Sequence, residues 1–286
     1  MLAADYSVVA STVEDAFADG ISNINPADRE IVQEAVNTTL NWLDTGQIRV
    51  AARVDGTADS PWIVHQWTRK AILLFFQLQG LKLIGNIDFG IWWDKVPSKF
   101  NGWTEVDFTR AGFRVVPGCV VRYSAYIAPG VVLLPSFINL GAYVDTGTMI
   151  DSWVSVGSCA QIGRNVHISA GATIGGVLEP ANAVPTIVED DCFIGANSAI
   201  IEGVVVCEGA VIAAGVTIGA STKIVDRSTG EIVLGSVPPY SVVVPGACSL
   251  ETIINRQGML SVSCAVIVKR VDKKTRLRTS INDLLR

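Results

Sequence analysis

The sequence predicts a mainly β chain whose second half winds into a parallel β-helix, and three observations carry that expectation. The first is a period of six. Counting from Val120, apolar residues recur at Tyr126, Val132, Ile138, Val144, Ile150, Val156, Ile162, Ile168 and Ile174. They recur again at Val188, Ile194, Ile200, Val206, Ile212, Ile218 and Ile224. Helices repeat near 3.6 residues and simple strands every two, so a period of six fits neither; it fits a coil with three short sides of one hexad each. The second observation is the small residue after many of these positions, as in Ile162-Gly163, Ile174-Gly175, Ile194-Gly195 and Ile218-Gly219. A tight corner is obstructed by a bulky side chain there. The third is the length of the run. One hexad cannot bury its own apolar residue, so several coils must stack. Seventeen positions on one phase give between five and six turns of 18 residues.

The phase breaks between Ile174 and Val188, where the spacing is fourteen residues. The segment Gly175-Gly176-Val177-Leu178-Glu179-Pro180-Ala181-Asn182-Ala183-Val184-Pro185 has a Gly-Gly pair and two prolines, the composition of a loop that leaves the coil. Two readings stay open for residues 175–186: a surface insertion, or a mobile flap over a ligand site.

Residues 1–110 show no hexads and are expected to form a helical domain. Asn25-Pro26 ahead of Asp28-Arg29-Glu30 looks like a helix cap followed by proline at the first helical position. Ile31, Val32, Ala35, Val36, Leu40 and Leu43 follow at helical spacing, and Gly46 ends the run. Residues 48–54 and 62–67 read as short strands, and 69–79 as a buried helix. The β-helix is expected over 111–228. Residues 229–286 read as a small β-rich domain with hairpins near Gly230–Val233 and Ser241–Val244 and a β run over 261–271. A terminal helix, Ile281 to Arg286, is capped by Ser280 and Asp283. Lys269, Arg270, Lys273, Lys274, Arg276 and Arg278 form a basic cluster, read as a solvated face or a phosphate-docking surface.

Bulk composition excludes several classes. The chain of 286 residues is 49% hydrophobic and 17% charged, with a formal net charge of −5. That balance gives no reason to expect nucleic acid as a partner. No apolar run reaches the roughly 18 residues of a membrane span, and the acidic N-terminus lacks the order of a signal peptide. Six cysteines (Cys119, Cys159, Cys192, Cys207, Cys248, Cys264) include no CxxC pair and read as small buried thiols, which suits a reduced cytoplasm. There is no metal-ligand cluster, phosphate-cradling loop or dinucleotide fingerprint, so no metal is expected. Apolar residues expected on the outer faces of the prism, Trp153, Val154 and Val131, argue for a trimer.

A hexapeptide β-helix by itself points to acyl transfer from a CoA or carrier-protein thioester only by fold analogy. Particular residues say more. Residues 111–117 read Ala-Gly-Phe-Arg-Val-Val-Pro; 141–153 read Gly-Ala-Tyr-Val-Asp-Thr-Gly-Thr-Met-Ile-Asp-Ser-Trp. Then come Val156-Gly-Ser-Cys-Ala-Gln-Ile-Gly163, Asn165-Val-His167, Gly175-Gly-Val-Leu-Glu-Pro180, Asp191-Cys-Phe-Ile-Gly195 and Ile218-Gly-Ala-Ser-Thr-Lys-Ile224. Val64-His-Gln-Trp67 and Asp94-Lys-Val-Pro97 lie upstream, and Cys264-Ala-Val-Ile-Val-Lys269 downstream. Over nearly its whole length the chain resembles the tetrahydrodipicolinate N-succinyltransferases.

The resemblance implies a left-handed β-helix, a homotrimer with sites between neighbouring prisms, and no permanently bound cofactor. It implies transfer of succinyl from succinyl-CoA to tetrahydrodipicolinate, giving N-succinyl-2-amino-6-oxopimelate in bacterial lysine synthesis. Asp151 matches the family's substrate-binding acid and becomes the expected catalytic residue, holding the acceptor amine and accepting its proton. Arg114 matches a substrate-contacting arginine; a guanidinium grips a carboxylate with two hydrogen bonds. Trp153 joins the expected substrate set. Arg122 is a second candidate, or a brace to the helical domain. Gly176, Ser221, Thr222 and Lys223 are the expected contacts for CoA, and an ordinary polar terminal coil is the alternative for the last three. His167, one of two histidines with His65, offers a rival base or a corner-packing side chain.

One departure stands out. Where the family commonly has a glutamate implicated in catalysis, this chain has Ala199. Three explanations stay open: Asp151 suffices, Glu202 substitutes, or the chain is impaired. An acetyl-CoA-dependent transferase and a non-catalytic trimeric β-helix are the competing functions.

Overall fold

The computed structural model describes residues 3–57, 60–86, 90–180, 182–253 and 259–271. Two-residue strands succeed one another from Arg114 onward and join, coil above coil, into three parallel walls. The first wall holds Arg114–Val115, Val132–Leu133, Met149–Ile150, His167–Ile168, Phe193–Ile194 and Val211–Ile212. The second holds Val120–Val121, Phe137–Ile138, Ser155–Val156, Thr173–Ile174, Ala199–Ile200 and Thr217–Ile218. The third holds Tyr126–Ile127, Tyr143–Val144, Gln161–Ile162, Ile187–Val188, Val205–Val206 and Ser236–Val237.

Adjacent residues of a strand point to opposite sides, so each strand gives one residue to the prism interior. From Ile138 to Ile218 the buried residues are those the period of six names. The first three positions are out of phase. Val121, Ile127 and Leu133 point inward, while Val120 is 43% exposed. The cause is one short side. Leu133 to Ile138 spans five residues, and the Ser136 hydroxyl donates to the Leu134 carbonyl at 2.7 Å to tighten that corner. Each coil also buries a second, smaller residue two positions earlier, among them Ala125, Ala142, Ala160, Ala172 and Ala210. Val131 and Val154 belong to this interior, not to an outer face. Where a hydroxyl enters the core it is satisfied. Thr148 donates to Gly163 and accepts from Val166; Ser198 donates to Ala213 and accepts from Val216.

The period fails again after Ile218. Ile224 is buried, yet Ile224–Asp226 leaves the third wall to pair with Ile232–Val233 and with Ala265–Ile267. Above Val206 lies Val237, and above Ile212 lies Val243. The coil thus continues past residue 228. Ser241–Ile253 then runs out of the wall as one arm of a long antiparallel hairpin with Met259–Arg270. The expected terminal helix and Lys273, Lys274, Arg276 and Arg278 lie outside the described residues.

Three helices pack as a bundle ahead of the prism: α1 (Ala3–Asp19), α2 (Arg29–Asp44) and α3 (Gln66–Leu78). A short fourth, α4 (Glu105–Ala111), leads into the first coil. The α2 helix begins at Arg29 rather than at Pro26. Asn25 instead turns the chain by accepting from the Ala27 amide, which delays the helix by a turn. Gly46 ends the segment with φ of 73°, and a Cβ there would lie 2.6 Å from the Tyr126 ring. The bundle docks on the third wall and its lower corner. Arg53 and the Trp62 indole both donate to Glu189, Arg49 donates to Gln161 at 3.1 Å, and Asp44 of α2 accepts from the Ser124 amide at 2.9 Å. Among the described residues the second wall carries no such cover: Val120, Phe137, Thr173 and Thr217 are exposed along it.

Candidate active site

The candidate residues sort onto two edges of the prism. Arg114, Met149, His167 and Phe193 take outward positions up the first wall, in register from coil to coil. Neighbouring strands are about 4.8 Å apart, so Arg114 lies about 10 Å below Met149 along the axis. Asp151 follows Ile150 at the corner between first and second walls. Its backbone amide donates to Ile168 at 2.9 Å, which fixes it to the coil above. One carboxylate oxygen accepts from the Ser152 amide at 2.7 Å. The other lies 3.6 Å from His167 Nε2, with 29% of the Asp151 side chain and 18% of the His167 side chain exposed. The histidine ring is set edge-on to Phe193 at 5.3 Å. The fold therefore brings together Asp151 and a histidine that sequence reasoning treated as a rival. The signal was present: His167 lies one 18-residue coil beyond Met149, two positions before Asp151.

Trp153 crowns the same corner. It is 78% exposed and sits at φ of 62°, in the left-handed region that other corners of the coil fill mostly with glycine, asparagine or aspartate and also with Ser124, Cys159, Glu202 and Tyr240. Its amide donates to the Pro135 carbonyl at 2.6 Å, which holds the turn. A bulky residue in that conformation costs about 1–2 kcal/mol, and such outliers gather at binding sites. Arg114 is exposed beside α4, on the same wall as the Asp151–His167 pair.

Arg122 does not join this group. It lies at the corner between second and third walls, where it donates to Asp94 at 2.6 Å and Asn139 at 3.1 Å and lies over the Phe76 ring. It braces the helical bundle to the coil. His65 precedes α3, where its carbonyl accepts from Thr68 and burial lowers its pKa.

The residues expected to meet CoA line the corner between second and third walls. Gly176 packs on Gly157, and a Cβ on it would lie 2.1 Å from the Ser158 nitrogen. Two coils higher, Ser221 and Lys223 are exposed, and Thr222 closes a turn by accepting from the Gly219 amide at 2.9 Å. Glu202 occupies this corner too, and its carboxylate accepts from the Ala220 amide at 3.0 Å. That fixes Glu202 as a turn-former on the opposite edge from Asp151. Ala199 lies on the second wall between the two edges, with Thr173 and Thr217 beside it.

Loop 175–186 is held rather than free. Arg69 of α3 is fully buried and donates to the carbonyls of Val177, Leu178, Pro180 and Ala183. Sequence reasoning missed this contact. Among the described residues no group of His, Cys, Asp and Glu side chains is arranged to hold a metal ion, and no helix is long and apolar enough to cross a membrane. All six cysteines are free thiols; Cys159, Cys192 and Cys264 are buried and the other three half-buried.

Comparison with known proteins bears on the family of the chain. Residues 9–78 match the family described as tetrahydrodipicolinate N-succinyltransferase N-terminal, and residues 185–220 match the hexapeptide repeat of succinyl-transferase. A 2,3,4,5-tetrahydropyridine-2,6-dicarboxylate N-succinyltransferase of Chelativorans sp. (strain BNC1) is 55% identical over 287 aligned residues, covering 100% of both chains. The protein of that name from Rhizobium meliloti (strain 1021) is 57% identical, covering 99% of this chain and 98% of its own. That from Nitrobacter hamburgensis (strain DSM 10229 / NCIMB 13809 / X14) is 57% identical, covering 96% and 97%. With this likeness along its whole length, the chain belongs to the tetrahydrodipicolinate N-succinyltransferase family.

Proposed function

We propose that the chain transfers the succinyl group of succinyl-CoA to the nitrogen of tetrahydrodipicolinate. The observation that carries this reading is the full-length likeness, at 55% identity and above, to relatives that bear the name of that activity. The chemistry fits the residues on the first wall. Water adds to the cyclic imine and frees the nitrogen, which attacks the thioester carbonyl. The nitrogen loses a proton, the C–S bond breaks, and the CoA thiolate leaves and takes up a proton. Asp151 holds the acceptor nitrogen and receives its proton; a positioned carboxylate contributes typically 10²–10⁴-fold to such a step. His167 stands 3.6 Å from the Asp151 carboxylate and orients it. Arg114 grips an acceptor carboxylate, and Trp153 closes over the acceptor. Gly176, Ser221, Thr222 and Lys223 take the CoA arm on the far edge.

In one prism the acceptor and donor sets are separated by the second wall. A homotrimer that sets one chain's first corner against its neighbour's second corner unites them, and it covers the exposed Val120, Phe137 and Trp153. The test is thiol release with tetrahydrodipicolinate and either succinyl-CoA or acetyl-CoA, alongside light scattering. Release with succinyl-CoA by a trimer is the expected result. Release with acetyl-CoA alone would replace the donor, and no release with either would leave a non-catalytic β-helix.

A further inference from the structure

We propose that Arg69 is a positioning residue: it sets loop 175–186 in the shape that receives the pantetheine arm of the acyl donor. This rests on the donor-side reading given above. Arg69 has no exposed surface, and among the described residues no carboxylate lies within ion-pair distance of it. Its Nε is buried without a hydrogen-bond partner, while Nη2 donates to Val177 at 2.7 Å, Pro180 at 3.0 Å and Leu178 at 3.2 Å, and Nη1 donates to Ala183. The adjoining thiol, Cys159, stays neutral, since burial pushes it up to about 12.

A buried cation without an anion is costly unless dipoles surround it. Here those dipoles are the carbonyls of one loop. Loop shape and cation burial are therefore coupled: a loop that lifts leaves the guanidinium unpaired, and a missing guanidinium takes the side-chain donor from the carbonyls of Val177, Leu178 and Ala183, while Pro180 keeps only the Ala183 amide at 3.0 Å. The planar fork of arginine satisfies several acceptors at once, which a single ammonium cannot do. The root of the loop is fixed separately by the close contact of Gly176 with Gly157. Between those two anchors the loop stands at the edge that carries Ser221, Thr222 and Lys223. A fold-stabilising arginine needs no such convergence on one excursion of the chain; a loop that must present one shape to a ligand does.

The experiment compares Arg69→Ala, Arg69→Lys and Gly176→Ala with the parent chain. Thermolysin attack at Val177, Leu178 or Val184, read by mass spectrometry, reports loop order without any activity. Initial rates report the succinyl-CoA and acceptor KM values. Arg69→Ala is expected to open the loop to cleavage and to raise the succinyl-CoA KM about tenfold, as for a loop in its receptive shape a tenth of the time. The acceptor KM should stay within twofold. Millimolar guanidinium should restore both protection and KM, and Arg69→Lys should not. Gly176→Ala, which leaves α3 intact, should release the loop from its root and open it to the same cleavage. A protected loop in Arg69→Ala overturns the positioning role. A cleaved loop with unchanged succinyl-CoA KM overturns the donor assignment while leaving the anchor in place.

Discussion

Arg122 separates two accounts of the acceptor site, because the resemblance offers it to the substrate and the fold gives it to the helical bundle. Its guanidinium donates to Asp94 and Asn139 and lies 5.7 Å from the Phe76 ring centre. The ion pair is half-screened, with 17% of Arg122 and 41% of Asp94 exposed, so it contributes no more than about 1 kcal/mol. The bond to Asn139 adds about 1 kcal/mol, and the ring contact about 0.5 kcal/mol. Arg122→Ala should therefore cost about 2 kcal/mol in all, because neighbouring contributions overlap. For a chain of this size that is a fall of about 4 °C in Tm. The assay pairs a thermal melt with acceptor kinetics. The expected result is the lower Tm with an acceptor KM within twofold of the parent. An unchanged Tm with a tenfold rise in acceptor KM would refute the brace and return Arg122 to the substrate.

Other substitutions test the first wall. Arg114→Ala should raise the acceptor KM about 100-fold with little change in Tm, since a charged hydrogen-bond pair to a carboxylate is worth about 1.5–3 kcal/mol; an unchanged KM removes Arg114 from the site. Asp151→Asn should lower kcat by at least about 100-fold, and His167→Gln should lower kcat while sparing the succinyl-CoA KM. If His167→Gln lowers Tm and leaves kcat in place, the histidine only packs the wall. Ala199→Glu places a carboxylate on the second wall between the two edges; turnover should rise about tenfold or more if proton removal is limiting, and stay level if Asp151 suffices.

The later coils were legible because each buries Ile or Val at one position in six, and a two-residue strand leaves no doubt about which residue faces in when its partner is polar, as in His167–Ile168 or Thr173–Ile174. The first coils misled because both residues are apolar, as in Val120–Val121 and Tyr126–Ile127. There only the length of one corner fixes the phase, and a five-residue side leaves no mark on composition. Ile224 kept the period while leaving the wall, since burial against the C-terminal hairpin asks for the same side chain as burial in the prism. Motifs named Asp151 and Arg114, and the fold places Arg114 on the first wall and Asp151 at its edge beside His167. The Arg69 contact was not: it joins residues 108 to 114 positions apart, and a buried arginine among Thr68, Ala71 and Ile72 reads as one polar residue in an apolar helix.

The division of the candidate residues between two edges constrains how such a site can work. Asp151, His167 and Trp153 stand at the corner where the first wall meets the second, and Gly176, Glu202 and Ser221 at the corner where the second meets the third. The prism between them is filled by fully buried Val156, Ile174, Ile200 and Ile218, and a core at crystalline density does not flex to bring its edges together. Under the proposed reaction, which needs a nitrogen within about 3.5 Å of a thioester carbon, the residues assigned to the two substrates stand on different edges of one copy. Either a neighbouring chain presents its donor edge to this acceptor edge, or the two sets serve unrelated ends. The exposed Trp153 favours the first. Among the described residues the Trp153 turn is held by the Pro135 carbonyl while the side chain stays 78% exposed, and the proposed trimer would cover that indole with a second prism.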